Sequence, residues 1–245
     1  MKKVLIVGAT SAIAQEVAKL FAKDGDRIFL VARDMSKLEA VLNDLKVRGA
    51  SYLDSITVDL DLLEQHDSIV QKAIQSLEGL DIVLVAHGVL GDQKAGEQDY
   101  QKAEAVLRTN FLSVVSLVTP LANYLEQQKS GCIAVISSVA GDRARQSNYL
   151  YGTAKGATSL FLQGLRNRLH PVGVTVTTIK PGFVDTPMTD HMKKSPLFER
   201  PEKVGLGIYK AILKKKDIVY LPWFWRVIMT IVRILPEPVF KRTRM

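Results

Sequence analysis

A single cysteine, Cys132, stands in 245 residues, so no intramolecular disulfide can form. That usage fits a reducing compartment. The thiol lies in the apolar run Cys132-Ile133-Ala134-Val135-Ile136, the setting of a buried structural cysteine rather than a reactive one. No repeat, low-complexity tract or Pro/Gly/Ser-rich linker divides the chain, which argues for one domain. Helix-turn-helix and zinc-ligand spacings are missing too, which excludes the common nucleic-acid modules and a structural metal. The apolar run 4–7 ends at Gly8 after four residues, too short for the core of a secretory signal, and reads as a strand.

What is present is ordinary for a globular protein, with 47% hydrophobic and 24% charged side chains. A chain of this size can bury a large core. Thirty-three basic against 25 acidic side chains leave a net charge of +8, which favours anionic partners such as phosphates or lipid head groups. The basic residues do not gather in a nucleic-acid pattern. Their local excess lies near the end, at Lys214-Lys215-Lys216 and at Lys241, Arg242 and Arg244.

Short apolar runs alternate with helical periodicity, the mark of a parallel sheet with helical crossovers. Strands are expected at 4–7, 28–32, 56–58, 82–86, 133–137, 174–179 and 217–220. Helices are expected at 12–24, from an N-cap at Asp34 to Gly49, and at 69–77, 100–127, 149–169 and 201–215. Nearly continuous apolar strands imply helices on both faces. The expected fold is α/β: a Rossmann-type doubly wound, parallel, seven-stranded sheet in a single domain, residues 1–221, with ligands at the carboxyl ends of its strands. Residues 222–245 form a separate apolar and basic helix and tail.

Between the first strand and helix stands Gly8-Ala9-Thr10-Ser11-Ala12-Ile13-Ala14. Such a strand–turn–helix offers unpaired N–H groups and a positive dipole end to a pyrophosphate. Arg33 follows the second strand, where a carboxylate would accept from a ribose 2′-hydroxyl and an arginine instead grips a 2′-phosphate. NADP(H) is therefore favoured over NAD(H). The alternatives for Arg33 are stacking on adenine or pairing with Asp34. Asp59, with Leu60 beside it at the third strand's end, is placed to meet the adenine amino group or to cap the next turn.

Ser138 follows the fifth strand, and Tyr151-Gly152-Thr153-Ala154-Lys155 opens a long helix thirteen residues on. Residues i and i+4 share a helix face, so an ammonium at Lys155 is expected to lower the Tyr151 phenol below its ordinary value. Tyr151 would then exchange the proton of a reacting oxygen. Ser138 would hold that oxygen, Lys155 would also reach ribose hydroxyls, and Asn110 would support a water-linked proton path from Lys155. A Tyr-x-x-x-Lys pair alone is often a surface pair. The serine at a strand end, the Gly-initiated turn and Pro181-Gly182 after the sixth strand give this one its context.

With these elements, from Gly8 to about Thr186, the chain resembles the short-chain dehydrogenase/reductase family. The resemblance implies Asn110, Ser138, Tyr151 and Lys155 as the catalytic set. It implies that Pro181-Gly182-Phe183-Val184-Asp185-Thr186 wraps the nicotinamide, with Val184 and Thr186 near the carboxamide, and that Ala86 and Gly88 line the cofactor. Two departures stand out: Ala12 and Ala14 occupy glycine positions of the turn, and His87 stands in Val85-Ala86-His87-Gly88 where family members commonly carry asparagines. His87 reads as a local substitution rather than an acid/base catalyst.

Substrate-lining segments are expected at 89–96, 139–148 and 187–198, with Leu90, Arg143, Arg145 and Tyr149 as contacts. The two arginines suit phosphate oxygens; a solvated turn is the alternative. In residues 221–235, read as a helix, Arg226, Thr230, Arg233 and Glu237 make a narrow polar stripe beside a broad apolar face. Its uncharged runs fall short of the roughly 20 residues that span a bilayer. The segment is suited to lie in a membrane interface or to pack on the domain or on a partner subunit.

The stretches Ala86-His87-Gly88-Val89-Leu90-Gly91-Asp92 and Ser138-Val139-Ala140-Gly141-Asp142-Arg143, with the Trp/Arg-rich tail, are similar to one branch of the family, the decaprenylphosphoryl-2-keto-ribose reductases of cell-wall arabinose synthesis. That likeness implies a lipid-linked keto-sugar substrate, a flavin-dependent oxidase as partner, and a cytoplasmic place at the inner face of the membrane. The family likeness implies a homo-dimer or homo-tetramer. A reductase of a soluble or hydrophobic ketone (steroid, retinoid or 3-ketoacyl) and a non-catalytic dinucleotide-binding protein are the competing readings. The second would be marked by loss of Tyr151 or Lys155, and both are present.

Overall fold

The computed structural model describes residues 1–243; Arg244 of the basic tail lies outside them. Seven strands, β1 (Lys3–Val7), β2 (Arg27–Ala32), β3 (Tyr52–Thr57), β4 (Ile82–Val85), β5 (Gly131–Ile136), β6 (Val174–Pro181) and β7 (Ile218–Leu221), form one parallel sheet in the order β3-β2-β1-β4-β5-β6-β7. The order reverses between β1 and β4, which opens a crevice at their carboxyl ends.

Alternation along the strands fills both faces. Leu5, Val7, Phe29, Val31, Val83, Val85, Ile133 and Val135 face α3 (His66–Leu77), α6 (Ser113–Gln128) and α7 (Tyr149–Leu169). Val4, Ile6, Ile28, Leu30, Ile82, Leu84 and Ala134 face α1 (Ala12–Lys23), α2 (Met35–Val47) and α8 (Pro201–Leu213). Each of these side chains except Ala134 stabilises the fold by about 1.5–3 kcal/mol on burial.

The departures from the sequence expectation have local causes. β3 starts earlier than residue 56 and is not continuously apolar, because it is an edge strand: Asp54 and Ser55 sit half-buried in it. The expected helix 100–127 is broken into α5 (Tyr100–Leu107), a π-helical turn at Arg108–Leu112, and α6. The π turn holds Asn110 at the crevice. A short helix, α4 (Gln93–Gln98), occupies part of an expected loop, its N-cap made by the Asp92 carboxylate accepting from the Ala95 N–H. The tail is two helices, α9 (Phe224–Ile234) and α10 (Glu237–Phe240), separated at Pro236. Glu237 is therefore not on the stripe of Arg226, Thr230 and Arg233. The inner face of α9 buries Trp225 and Met229 against Val139, with Phe183, Tyr220 and Phe224 around them.

Candidate active site

Gly8 ends β1 at φ +79°, a conformation costly for residues with a side chain. A Cβ there would lie 2.5 Å from the His87 backbone nitrogen. The first turn of α1 has no side-chain cap: the Ser11 hydroxyl makes no capping bond. The N–H groups about Ala12 and Ile13 thus remain available to an anion, with Thr10 and Ser11 in the preceding turn, as a dinucleotide pyrophosphate requires. Ala14 fits where a glycine was expected because its methyl joins the core cluster with Val4 and Ile28, fully buried.

Arg33 is exposed, and no hydrogen bond or ion pair engages its guanidinium among the described residues. The alternative pairing with Asp34 is not formed: Asp34 accepts from the Lys37 N–H and pairs with the Lys37 ammonium. Asp59 accepts from the Asp61 N–H, the turn-capping alternative. Leu60 buries its side chain in the core, and its carbonyl accepts from the Ser113 hydroxyl at 2.8 Å. Only the Leu60 N–H is left to offer a nucleotide.

After β4 the Ala86 N–H continues the sheet to the Val7 carbonyl. His87 bonds Ser113 through Nε2 at 3.0 Å, while its Nδ1 is buried without a partner. Burial, with the Lys155 ammonium nearby, pushes His87 down to about 3. It is neutral near pH 7.

The four catalytic candidates converge on this crevice. Asn110 is fully buried, its amide donating to the Val89 and Val106 carbonyls and its Oδ1 accepting from the Val89 N–H. Its Oδ1 and the Lys155 ammonium both border Gly88, where a side chain would strike them. Lys155 donates to the Ile136 carbonyl at 3.0 Å and lies 5.8 Å from the centre of the Tyr151 ring. Ser138 tops β5, accepting from the Ala140 N–H at 3.1 Å.

The electrostatics correct one expectation. Burial pushes the Tyr151 phenol up to about 12, opposed only by hydrogen bonding with Ser138. Burial also pushes Lys155 down to about 8. In the chain by itself, desolvation outweighs the attraction of an amine that is turned toward a carbonyl rather than toward the phenol oxygen.

The segment expected to wrap a nicotinamide leaves β6 at Pro181-Gly182. Gly182 lies directly under the Trp225 indole, with which a side chain would collide. Val184 is buried and its carbonyl accepts from the Thr189 hydroxyl, while Thr186 and Thr189 cap each other's backbone. Leu90 is half-buried after β4, and Tyr149 is exposed on the first turn of α7.

Of the two arginines after Ser138, Arg143 is not free for a substrate. It donates to the Val232 carbonyl at 2.8 Å and the Leu235 carbonyl at 2.5 Å, pairs with Glu237 at 2.8 Å, and stacks 3.7 Å from the Phe240 ring centre. This corrects its assignment as a phosphate ligand: the tail consumes its donors. Arg145 differs. Its Nε is buried without a partner, and no hydrogen bond or ion pair engages its guanidinium among the described residues. Five of the six orphaned buried side-chain atoms among the described residues, those of Asp61, His87, Arg145, Asn148 and Trp225, lie at the carboxyl end of the sheet. Buried polar atoms are normally satisfied, so these are donors and acceptors left available to a ligand. Sequence reasoning missed the Lys180–Asp142 ion pair beneath the site and the Tyr220 hydroxyl that donates to Asp142 at 2.7 Å. Only Gly182 hinted at Trp225, since a glycine in a nicotinamide loop leaves room for a ring.

Residues 2–196 match the profile of the family described as short chain dehydrogenase. The chain belongs to the short-chain dehydrogenase family. It is 35% identical over 239 residues to an uncharacterized oxidoreductase of Mycobacterium tuberculosis (strain ATCC 25618 / H37Rv), covering 98% of this chain and 96% of that protein. An uncharacterized oxidoreductase of Streptomyces coelicolor is 32% identical over 244 residues, covering 98% and 95%. Among solved structures, NAD+-bound xylitol dehydrogenase superposes with a TM-score of 0.81 at 17% identity, covering 90% of this chain and 97% of that one. A point variant of actinorhodin polyketide ketoreductase with NADPH gives 0.81 at 22%, covering 91% and 97%. These likenesses establish the Rossmann-type architecture, and the family makes this short-chain dehydrogenase an NAD(P)-dependent oxidoreductase.

Proposed function

We propose that the enzyme is an NADP(H)-preferring reductase whose substrate is a ketone on an anionic, apolar-tailed carrier, a 2-keto sugar on a polyprenyl phosphate. The observation that carries the reaction is the convergence of Asn110, Ser138, Tyr151 and Lys155 at the carboxyl-end crevice of the sheet. When bound, the nicotinamide dinucleotide supplies the hydride. The uncapped turn at Gly8–Ala12 holds its pyrophosphate, and Arg33, free of other partners, meets a 2′-phosphate. Ser138 donates to the ketone oxygen, and Tyr151 gives its proton to that oxygen as negative charge grows there. A phenol raised by burial stays protonated near pH 7, which suits it to donate rather than to accept. Lys155 holds positive charge beside it, and Asn110 fixes the backbone at Val89 that walls the crevice.

The orphaned guanidinium of Arg145 supports a substrate anion. The outer face of α9 supports an apolar carrier: Trp223, Val227, Ile231 and Ile234 are exposed beside the cations of Arg226 and Arg233. Such a face suits the inner, cytoplasmic surface of an anionic membrane. A 2-keto sugar must come from an oxidation, which is the place for a flavin-dependent oxidase partner. A homo-dimer or homo-tetramer remains the assembly proposed from the family.

Purified enzyme tests this with NADPH or NADH against the keto sugar on a polyprenyl phosphate, the same sugar without the lipid phosphate, and a neutral steroid ketone. NADPH oxidation should be fastest with the first. Equal or faster turnover of the neutral ketone would favour the hydrophobic-ketone reading instead. Arg33→Ala should weaken NADPH about 10- to 100-fold, the worth of a lost charge-assisted contact, and leave NADH nearly unchanged. Equal losses would refute the phosphate contact.

A further inference from the structure

The turn that carries Ser138 is held from one side by the tail. Its backbone is closed by Gly141 N–H to the Ser138 carbonyl and Asp142 N–H to the Val139 carbonyl, both at 3.1 Å. Three side chains in succession then leave it for the same quarter. Val139, 4% exposed, packs on Trp225 and Met229 of α9. Asp142 pairs with buried Lys180 at the end of β6 and accepts from Tyr220 of β7. Arg143 reaches the carboxyl end of α9 and the first residue of α10.

We propose that α9 and α10 brace the catalytic serine, with Arg143 as the positioning residue that locks the brace. The proposal rests on Ser138 holding the substrate oxygen. Carbonyls at a helix carboxyl end have no partners within the helix, and that end carries partial negative charge. One planar guanidinium satisfies two of them while pairing with Glu237 and covering Phe240. The lock seats Trp225 on Gly182 and edge-on to Phe183, ring centres 5.5 Å apart. Trp225 thus touches both the residue after the serine and the segment assigned to the nicotinamide. The brace fixes the serine relative to the cofactor loop, where a displacement of about 1 Å can cost about 100-fold in rate.

Arg143→Ala in the full chain tests the lock, read by amide hydrogen exchange across 138–143, Trp225 emission and turnover. Trp223→Phe, an exposed position, leaves Trp225 the only tryptophan. In that background Arg143→Ala should speed exchange in the turn and shift Trp225 emission to the red. With saturating NADPH, kcat should fall about tenfold or more while NADPH affinity and the circular dichroism stay near wild type. Arg143→Lys, which keeps the charge but not the fork, should recover part of the loss. Unchanged exchange at 138–143, or unchanged kcat with a released tail, would overturn the brace. Exchange and emission need no substrate, so a wild-type enzyme that turns over no ketone would sink the functional reading and leave the brace still decided.

Discussion

At the scale of single residues, burying Lys155 costs stability. The residue is 3% exposed, and its amine is bonded to one carbonyl and without a carboxylate partner among the described residues. Burial lowers it from 10.5 to about 8. The folded state therefore gives up this proton before the unfolded chain does. Between about 8 and 10.5 the unfolded state binds more protons, so this group's contribution to stability rises with pH and is lost as pH falls through about 8. Lys155→Met should accordingly melt above wild type at pH 7 while losing activity, and the gap should close as pH climbs toward 10.5. A lower melting temperature for the variant at pH 7 would show that the amine is stabilising instead. The convergence of Ser138, Tyr151 and Lys155, proposed with Asn110 as the catalytic set, was legible because its signal is local: a serine at a strand end and a four-residue spacing on a helix. Which way Lys155 turns was not, since spacing sets the face and not the rotamer. Arg143 was misread for a related reason. Its partners begin 89 residues further on, and nothing near it in sequence announces them.

At the scale of elements, the sheet was legible where strands are buried on both faces and blurred at its edge. β1, β2, β4 and β5 read as unbroken apolar runs, whereas β3 carries Asp54 and Ser55 because only one flank of it is paired. Helix periodicity could not show the π turn at Arg108–Leu112, since side-chain spacing does not report a hydrogen-bond pattern that slips by one residue. The tail was legible as an amphipathic helix, but its division of labour needed the structure. Trp225 and Met229 point inward, while Trp223, Val227 and Ile231 are exposed. If that outer face meets anionic lipid, the enzyme should float with vesicles containing phosphatidylglycerol, and the double substitution Val227→Glu, Ile231→Glu should abolish flotation. Turnover of a short water-soluble ketone should be untouched, as neither side chain faces the crevice. Flotation unaffected by the two carboxylates would remove the membrane from the proposal.

At the scale of the whole molecule, one reversal of strand order gathers groups from six strand ends around a single crevice, from Gly8 after β1 to Gly182 after β6. The chain's net charge of +8 favours the encounter with anions such as the phosphates of a dinucleotide. Everything assigned to this crevice depends on the Tyr151 phenol delivering the proton that completes reduction. The direct measurement compares wild type with Tyr151→Phe at saturating NADPH and ketone, with cofactor affinity followed by nicotinamide fluorescence. Removing one oxygen should lower kcat by about 10²- to 10⁴-fold, the usual worth of a general acid, with NADPH binding unchanged. Turnover preserved to within a few-fold in the phenylalanine enzyme would contradict the assignment.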